Sequence, residues 1–188
     1  MKRIAVFASG SGSNAEKIIT YFQDKPIADV SLVVYNKPDA FVLERAKKLS
    51  VPTLLINKDD LYESDEVINQ LKDQQIDLIV LAGFLWLIPK KLIKAFPEKI
   101  INIHPALLPR FGGKGMYGLR VHQAVKEAND TETGITIHYV NEVYDAGTII
   151  RQERVAVSEE DTPTTIAQKV QQLEHQYYPE VIESILQK

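Results

Sequence analysis

Short runs of unbroken apolar residues alternate along this chain with segments whose apolar positions recur every three or four residues. The runs at Ile4–Ala8, Val30–Val34, Val51–Ile56, Ile76–Ala82 and Ile100–His104 read as strands. Between them, Ala15–Phe22, Phe41–Leu49, Ser64–Gln74 and the stretch from Pro89 to Phe96 carry helical spacing; Ile18, Ile19 and Phe22 share one face, as do Val67, Ile68 and Leu71. Strands this apolar need cover on both sides. Ile76–Ala82 (IDLIVLA) is the most apolar of them and belongs at the sheet's centre. The β-α-β rhythm therefore predicts an α/β fold, a Rossmann-like open and mostly parallel sheet with helices on both faces.

After residue 104 the rhythm changes. A Gly-rich loop occupies 105–118, a helix spans about 119–128, and the segments 134–140 and 148–157 read as strands close in sequence, an antiparallel C-terminal addition at the sheet's edge. Thr162-Pro163 opens a last helix through about Leu173, which Pro179 is expected to break or kink before residues 181–186. No repeat, low-complexity tract or linker interrupts the series. A single domain over residues 1–188 is the expectation, a length slightly above the usual single-domain range.

Composition narrows the function classes. Lys and Arg number 22 against 25 Asp and Glu, a net charge of -3 without a block of like charge, so the electrostatic footprint of a nucleic-acid binder is missing. With no cysteine, disulfides, thiolate metal sites and cysteine nucleophiles are excluded. The four histidines, His104, His122, His138 and His175, have no paired ligand spacing, and no metal is expected. The N-terminal apolar run ends at Ala8, too short for a signal-peptide core or a membrane span; a cytoplasmic protein without membrane contact is expected.

Two places carry candidate chemistry. Gly10-Ser11-Gly12-Ser13-Asn14-Ala15 fits the pattern G-x-G-x-x-A and lies between a strand and a helix, where backbone N–H groups face an anion. A dinucleotide site would normally place an acidic residue at the end of the second strand; Asn36 stands there instead, which points to a single phosphate on a mononucleotide-like ligand. The second place is the end of the fifth strand, where Asn102 and His104, two residues apart, project to one side. Locally, Asn102 can simply begin a turn, His104 can be a satisfied buried histidine, and Asp145 in NEVYDAG can cap a turn. All three nevertheless fall at the carboxyl ends of strands, where open parallel sheets bind ligands. Together an amide donor, an imidazolium and a carboxylate suit acyl-type transfer through a developing oxyanion. No G-x-S-x-G elbow is present for serine hydrolase chemistry.

The segments ASGSGSN, LAGFLWLI, INIHPALLP, GITIHYVNEVYDAG and LEHQYYP resemble, in order and spacing over essentially the whole chain, the phosphoribosylglycinamide formyltransferase family of folate-dependent enzymes. That resemblance implies transfer of a formyl group from 10-formyltetrahydrofolate, a co-substrate, to the amine of glycinamide ribonucleotide in purine biosynthesis. By the same motifs it implies Asn102, His104 and Asp145 as catalytic residues, with Asp145 raising the pKa of His104. It implies Gly12, Ser13 and Asn14 for the phosphate and Glu174 for the ribose hydroxyls, and Leu85, Trp86, Leu87, Ile88 and Val143, with Asn102 and Asp145, for the folate; Gln171, one helical turn before Glu174, stands within reach of the same phosphate.

Formyltetrahydrofolate hydrolase, which shares the catalytic core and uses water as acceptor, is the alternative. Methionyl-tRNA formyltransferase is disfavoured by the missing basic character, and a nucleotide-sensing module by the complete catalytic set. The loop 105–118 is longer than in many members and reads as a mobile lid, so contacts of Arg110, Lys114 and Tyr117 are not carried over. Lys58 stands near where many members place a basic folate contact. His138 reads either as a packed strand histidine or as a support for the site; His122 and His175 receive no role, and the oligomeric state is not encoded in any motif.

Overall fold

Alternating side chains decide how this sheet is clothed. In the computed structural model, which describes residues 1–188, β1 (Lys2–Ala8) sends Ile4, Val6 and Ala8 to one face and Ala5 and Phe7 to the other, all fully buried. The chain then runs α1 (Ser13–Phe22), β2 (Ala28–Tyr35), α2 (Val42–Lys48), β3 (Thr53–Leu55), α3 (Lys58–Tyr62), α4 (Glu66–Asp73), β4 (Leu78–Leu81), α5 (Lys90–Ala95), β5 (Ile100–His104), α6 (Leu119–Glu127), β6 (Glu132–Tyr139), β7 (Ile149–Ala156) and α7 (Pro163–Leu186). The seven strands lie in the order β3-β2-β1-β4-β5-β6-β7. The first five are parallel and the last two antiparallel, as the apolar pattern predicted.

One face of the sheet packs against α1, α2, α6 and α7, the other against α3, α4 and α5. Ile101 and Ile103 turn into the first of these cores, which directs Ile100, Asn102 and His104 to the opposite side. β5 sits between β4 and β6, in register with Asn102 opposite His138 and His104 opposite Thr136. Strand order thus brings residues 32 and 36 positions apart into contact at one sheet end.

Two expectations are corrected. Pro179 does not break the last helix: α7 continues through it to Leu186. A proline inside a helix costs about 3 kcal/mol, and burying Val181 and Ile182 beyond it returns roughly 1.5–3 kcal/mol each. Fully buried Tyr178, donating to the carbonyls of Leu81 (3.0 Å) and Ile101 (3.3 Å), further pins this part of α7 to the sheet. The second correction is α3, for which the apolar pattern gave no helix. Asn57 and Asp60 form a reciprocal capping box, each side chain accepting from the other's backbone N–H at 3.0 and 2.7 Å. Leu61 alone of its residues is buried, too little for a periodic signal.

Candidate active site

At the carboxyl ends of the parallel strands a cleft of about 690 Å³ opens, and all the residues singled out for substrate, folate and chemistry line it. Gly12–Asn14, Gln171 and Glu174 stand at one end; Leu85, Trp86, Leu87, Ile88 and Val143 form an apolar wall; Asn102, His104 and Asp145 lie on the floor.

The phosphate-loop end is built by backbone. Gly12 takes φ +72 as the residue before α1, and the first main-chain bond of that helix runs from Glu16 N–H to Gly12 O at 2.9 Å. The N–H groups of Ser13, Asn14 and Ala15 are therefore free donors at a positive helix end, the arrangement that attracts an anion. Asn14 donates through Nδ2 to Glu174 Oε2 (2.8 Å) and Gln171 Nε2 donates to Ser13 Oγ (3.2 Å), so α7 is laced to the loop. Asn14 Oδ1 is buried without a partner. Burial pushes the Glu174 carboxyl above its ordinary range, and the Asn14 amide opposes this. Asn36, at the end of β2, is buried outside the cleft with neither amide atom paired.

Ser9 joins this loop to the apolar wall. Its N–H donates to Gly83 O (3.0 Å), and its hydroxyl accepts from Leu85 N–H (2.9 Å). Tyr62 donates to Leu87 O at 2.9 Å, and Trp86 meets Phe84 edge-to-face and Tyr62 at a tilt, with centroids 6.0 and 6.3 Å away. Leu85 and Val143 remain exposed at the cleft mouth. Lys58 is exposed and does not line the cleft.

The floor is polar and tightly enclosed. His104, 3% exposed, places Nδ1 3.4 Å from Asp145 Oδ2 and Nε2 2.7 Å from Phe111 O. Both ring nitrogens face acceptors, which only the doubly protonated ring satisfies fully. Burial nevertheless pulls His104 below the ordinary histidine range; Asp145 and the Phe111 carbonyl oppose that pull, and His138 adds to it. The expected upward influence of Asp145 on His104 is therefore present but outweighed by desolvation. For Asp145 burial acts upward, while His138, His104 and the Gly113 N–H (2.9 Å to Oδ2) prevail and hold the carboxyl low. Asp145 also adopts φ +54, an uncommon left-handed backbone for a residue other than glycine. Asn102 Nδ2 lies 3.2 Å from His138 Nε2 and 3.5 Å from Asp145 Oδ1.

Not every candidate reaches the cleft. Lys114, Tyr117 and Arg120 line it, whereas Arg110 turns away to Asp130 at 2.6 Å. Sequence reasoning missed four contributors. The Phe111 carbonyl and Gly113 N–H are backbone groups with no residue-type signature; Tyr144, beside Asp145 in NEVYDAG, lines the cleft; and His122, on α6, lines it 5% exposed with Nδ1 unpartnered. Burial holds His122 down at about 4, with His104 contributing. No group of three or more His, Asp or Glu side chains is arranged to hold a metal, and no helix is long and apolar enough to cross a membrane.

Residues 2–182 match the family described as formyl transferase. The chain is 45% identical over 193 residues to a chloroplastic phosphoribosylglycinamide formyltransferase of Arabidopsis thaliana, spanning 100% of this chain and 66% of that relative. It is 42% identical to the phosphoribosylglycinamide formyltransferase of Bacillus subtilis, over 99% of this chain and 95% of that one. Among solved structures, a phosphoribosylglycinamide formyltransferase from Bacillus halodurans superposes with a TM-score of 0.88 at 43% identity, covering 100% of this chain and 96% of the other. Matched along nearly its whole length and in its fold, the chain belongs to the formyl transferase family.

Proposed function

We propose that this chain transfers the formyl group of 10-formyltetrahydrofolate to the amine of N1-(5-phosphoribosyl)glycinamide, a step of purine biosynthesis. The observation that carries the reading is the cleft itself: an anion-binding helix end, an apolar wall and an amide-imidazole-carboxylate floor share one space in a member of this family. Such a space suits a phosphorylated amine at one end and an aromatic formyl donor along the wall.

Each end has a job the side chains can perform. The free N–H groups of Ser13, Asn14 and Ala15, with Gln171 beside Ser13, take the phosphate, and Glu174, steadied by Asn14, takes the ribose hydroxyls. Leu85–Ile88 and Val143 receive the folate, which when bound supplies the formyl group; the apolar and aromatic character of this wall fits a flat ring. Attack of the amine nitrogen on the formyl carbon puts negative charge on the formyl oxygen; collapse of this intermediate breaks the bond from the formyl carbon to folate N10, and the proton lost by the amine ends on that nitrogen, releasing tetrahydrofolate. Asn102 Nδ2–H and protonated His104 donate to that oxygen, and Asp145 steadies the imidazolium through Nδ1. His104 Nε2–H, here donated to Phe111 O, becomes available as residues 111–113 shift, which gives the loop 105–118 its role as lid.

The test is folate absorbance on mixing the protein with 10-formyltetrahydrofolate, with and without the ribonucleotide. Turnover that requires the ribonucleotide is the expected result. Equal turnover without it would assign the hydrolase instead, and no turnover in either case would overturn both.

A further inference from the structure

We propose that His138 is a positioning residue that sets which way round the Asn102 amide faces the reacting oxygen; the inference rests on the reading of Asn102 as an oxyanion donor. An asparagine amide has a donor end and an acceptor end of nearly equal size, and only its neighbours decide which end points where. Asn102 and His138 are direct partners across β5 and β6, so the two side chains meet by register.

The neighbours fix the answer. His138 is 2% exposed, and its Nδ1 lies 2.8 Å from the carbonyl of Tyr139, which can only accept. Of the two neutral tautomers this contact selects the one with the proton on Nδ1, which leaves a lone pair on Nε2, 3.7 Å from Asp145 Oδ1. That carbonyl is itself held in place: Tyr139 N–H donates to Thr148 O at 2.9 Å, and Gly147 approaches so closely that a Cβ there would stand 1.6 Å from Tyr139 O. Facing the Nε2 lone pair at 3.2 Å is the Asn102 amide, whose donor end must be turned toward it. Asp145 Oδ1, also an acceptor, lies 3.5 Å from the same nitrogen and agrees with that orientation. One N–H of Asn102 is thus anchored on His138, while the other is held only by the long contact to Asp145. The second N–H is the one free to pass to a developing oxyanion, and removing the anchor lets the amide swing its carbonyl end into that place.

The test compares two substitutions that both lose the Nδ1 contact with Tyr139 O: His138→Gln, which keeps an acceptor near the place of Nε2, and His138→Leu, which fills the space without one. Each is made alone and with Asn102→Ala, and kcat is measured after thermal melting confirms a folded protein. With Asn102 present, His138→Leu is expected to lower kcat about tenfold and His138→Gln by less than about threefold. With Asn102→Ala the two should agree within about twofold, since nothing is left to orient. Equal losses in the first comparison, or a gap that survives in the second, would overturn the role of His138 while leaving Asn102 as a donor. Wild-type turnover in Asn102→Ala alone would instead remove the reading on which both depend.

Discussion

The two ends of the cleft solve different problems with different parts. At the α1 end the ligand-facing groups are backbone N–H donors, and the side chains around them mostly hold one another. At the floor the groups are side chains, Asn102 and almost wholly buried His104 on a strand and Asp145 on the loop between β6 and β7, crowded by acceptors and reached by the loop 105–118. The ionisable groups respond to burial in opposite senses: it raises Glu174 and lowers His104 and His122. In the proposed reaction, holding the phosphate asks for charge already fixed in the backbone, whereas stabilising a transient oxyanion asks for donors kept dry until they are needed.

The largest test of that division is His104→Ala. Loss of one oxyanion donor is expected to lower kcat by roughly two to three orders of magnitude, with little change in KM for the ribonucleotide because the α1 end is untouched. Asp145→Asn sharpens the point through pH. Asp145 is the charge that opposes desolvation of His104, so its removal lets the His104 pKa fall further. The protonated fraction near neutrality then drops, and the activity that needs it retreats to lower pH. Steady-state kinetics over a pH series measures both; a rise in ribonucleotide KM at constant kcat in His104→Ala would erase the distinction between the ends.

The two ends were also unequally legible in the sequence. The loop Gly10–Ala15 is local: strand, glycines and helix follow one another, and their meaning survives without tertiary information. Asn102 and His104 were half legible, because the two-residue period of a strand puts them on one side, yet nothing in the chain said that the strand lies between β4 and β6. His138 gave a histidine on an alternating strand and no more; its meeting with Asn102 depends on antiparallel register. Phe111 is invisible to such reasoning, since its contribution is a carbonyl that any residue supplies. The strands were read with similar ease because buried parallel strands are continuously apolar, while α3 and the passage of α7 through Pro179 depend on capping and packing that periodicity does not record.

A second test, somewhat smaller, uses the opposed titrations. His122 ordinarily titrates near 6.5 and is held at about 4 in the fold. Its folded pKa is depressed, so the stability it contributes is complete above about 6.5 and is lost as pH falls toward 4, in total roughly 3 kcal/mol. Glu174 has the reverse sign: with its pKa raised, its contribution is complete below the ordinary glutamate range and is lost as pH rises through the folded value. Denaturant melts between pH 4 and 7 should therefore show a flatter acid-side decline for His122→Gln. An unchanged slope in that variant would mean that burial of this histidine is relieved some other way.

The smallest expected effect falls on the α1 end and tests whether its backbone does the binding. Gly12 has φ +72, a conformation that costs an L residue about 1–2 kcal/mol. A Cβ there would also stand 2.5 Å from Val42 Cγ2 and 2.8 Å from Val42 Cα. Rotating the valine relieves the first clash and leaves the second, so Gly12→Ala has to move α2 away from the loop or tilt the start of α1. Either shift misaims the N–H groups of residues 13–15, and KM for the ribonucleotide should rise about tenfold while kcat stays within a few-fold, with stability lower by about 1–3 kcal/mol. Gly10→Ala is the internal comparison, because a Cβ at Gly10 meets nothing within 4 Å. A larger KM effect at Gly12 than at Gly10 ties phosphate binding to the geometry of the helix start. If the two substitutions raise KM equally, loop flexibility rather than aimed donors holds the phosphate, and the contrast between a backbone-built and a side-chain-built end gives way.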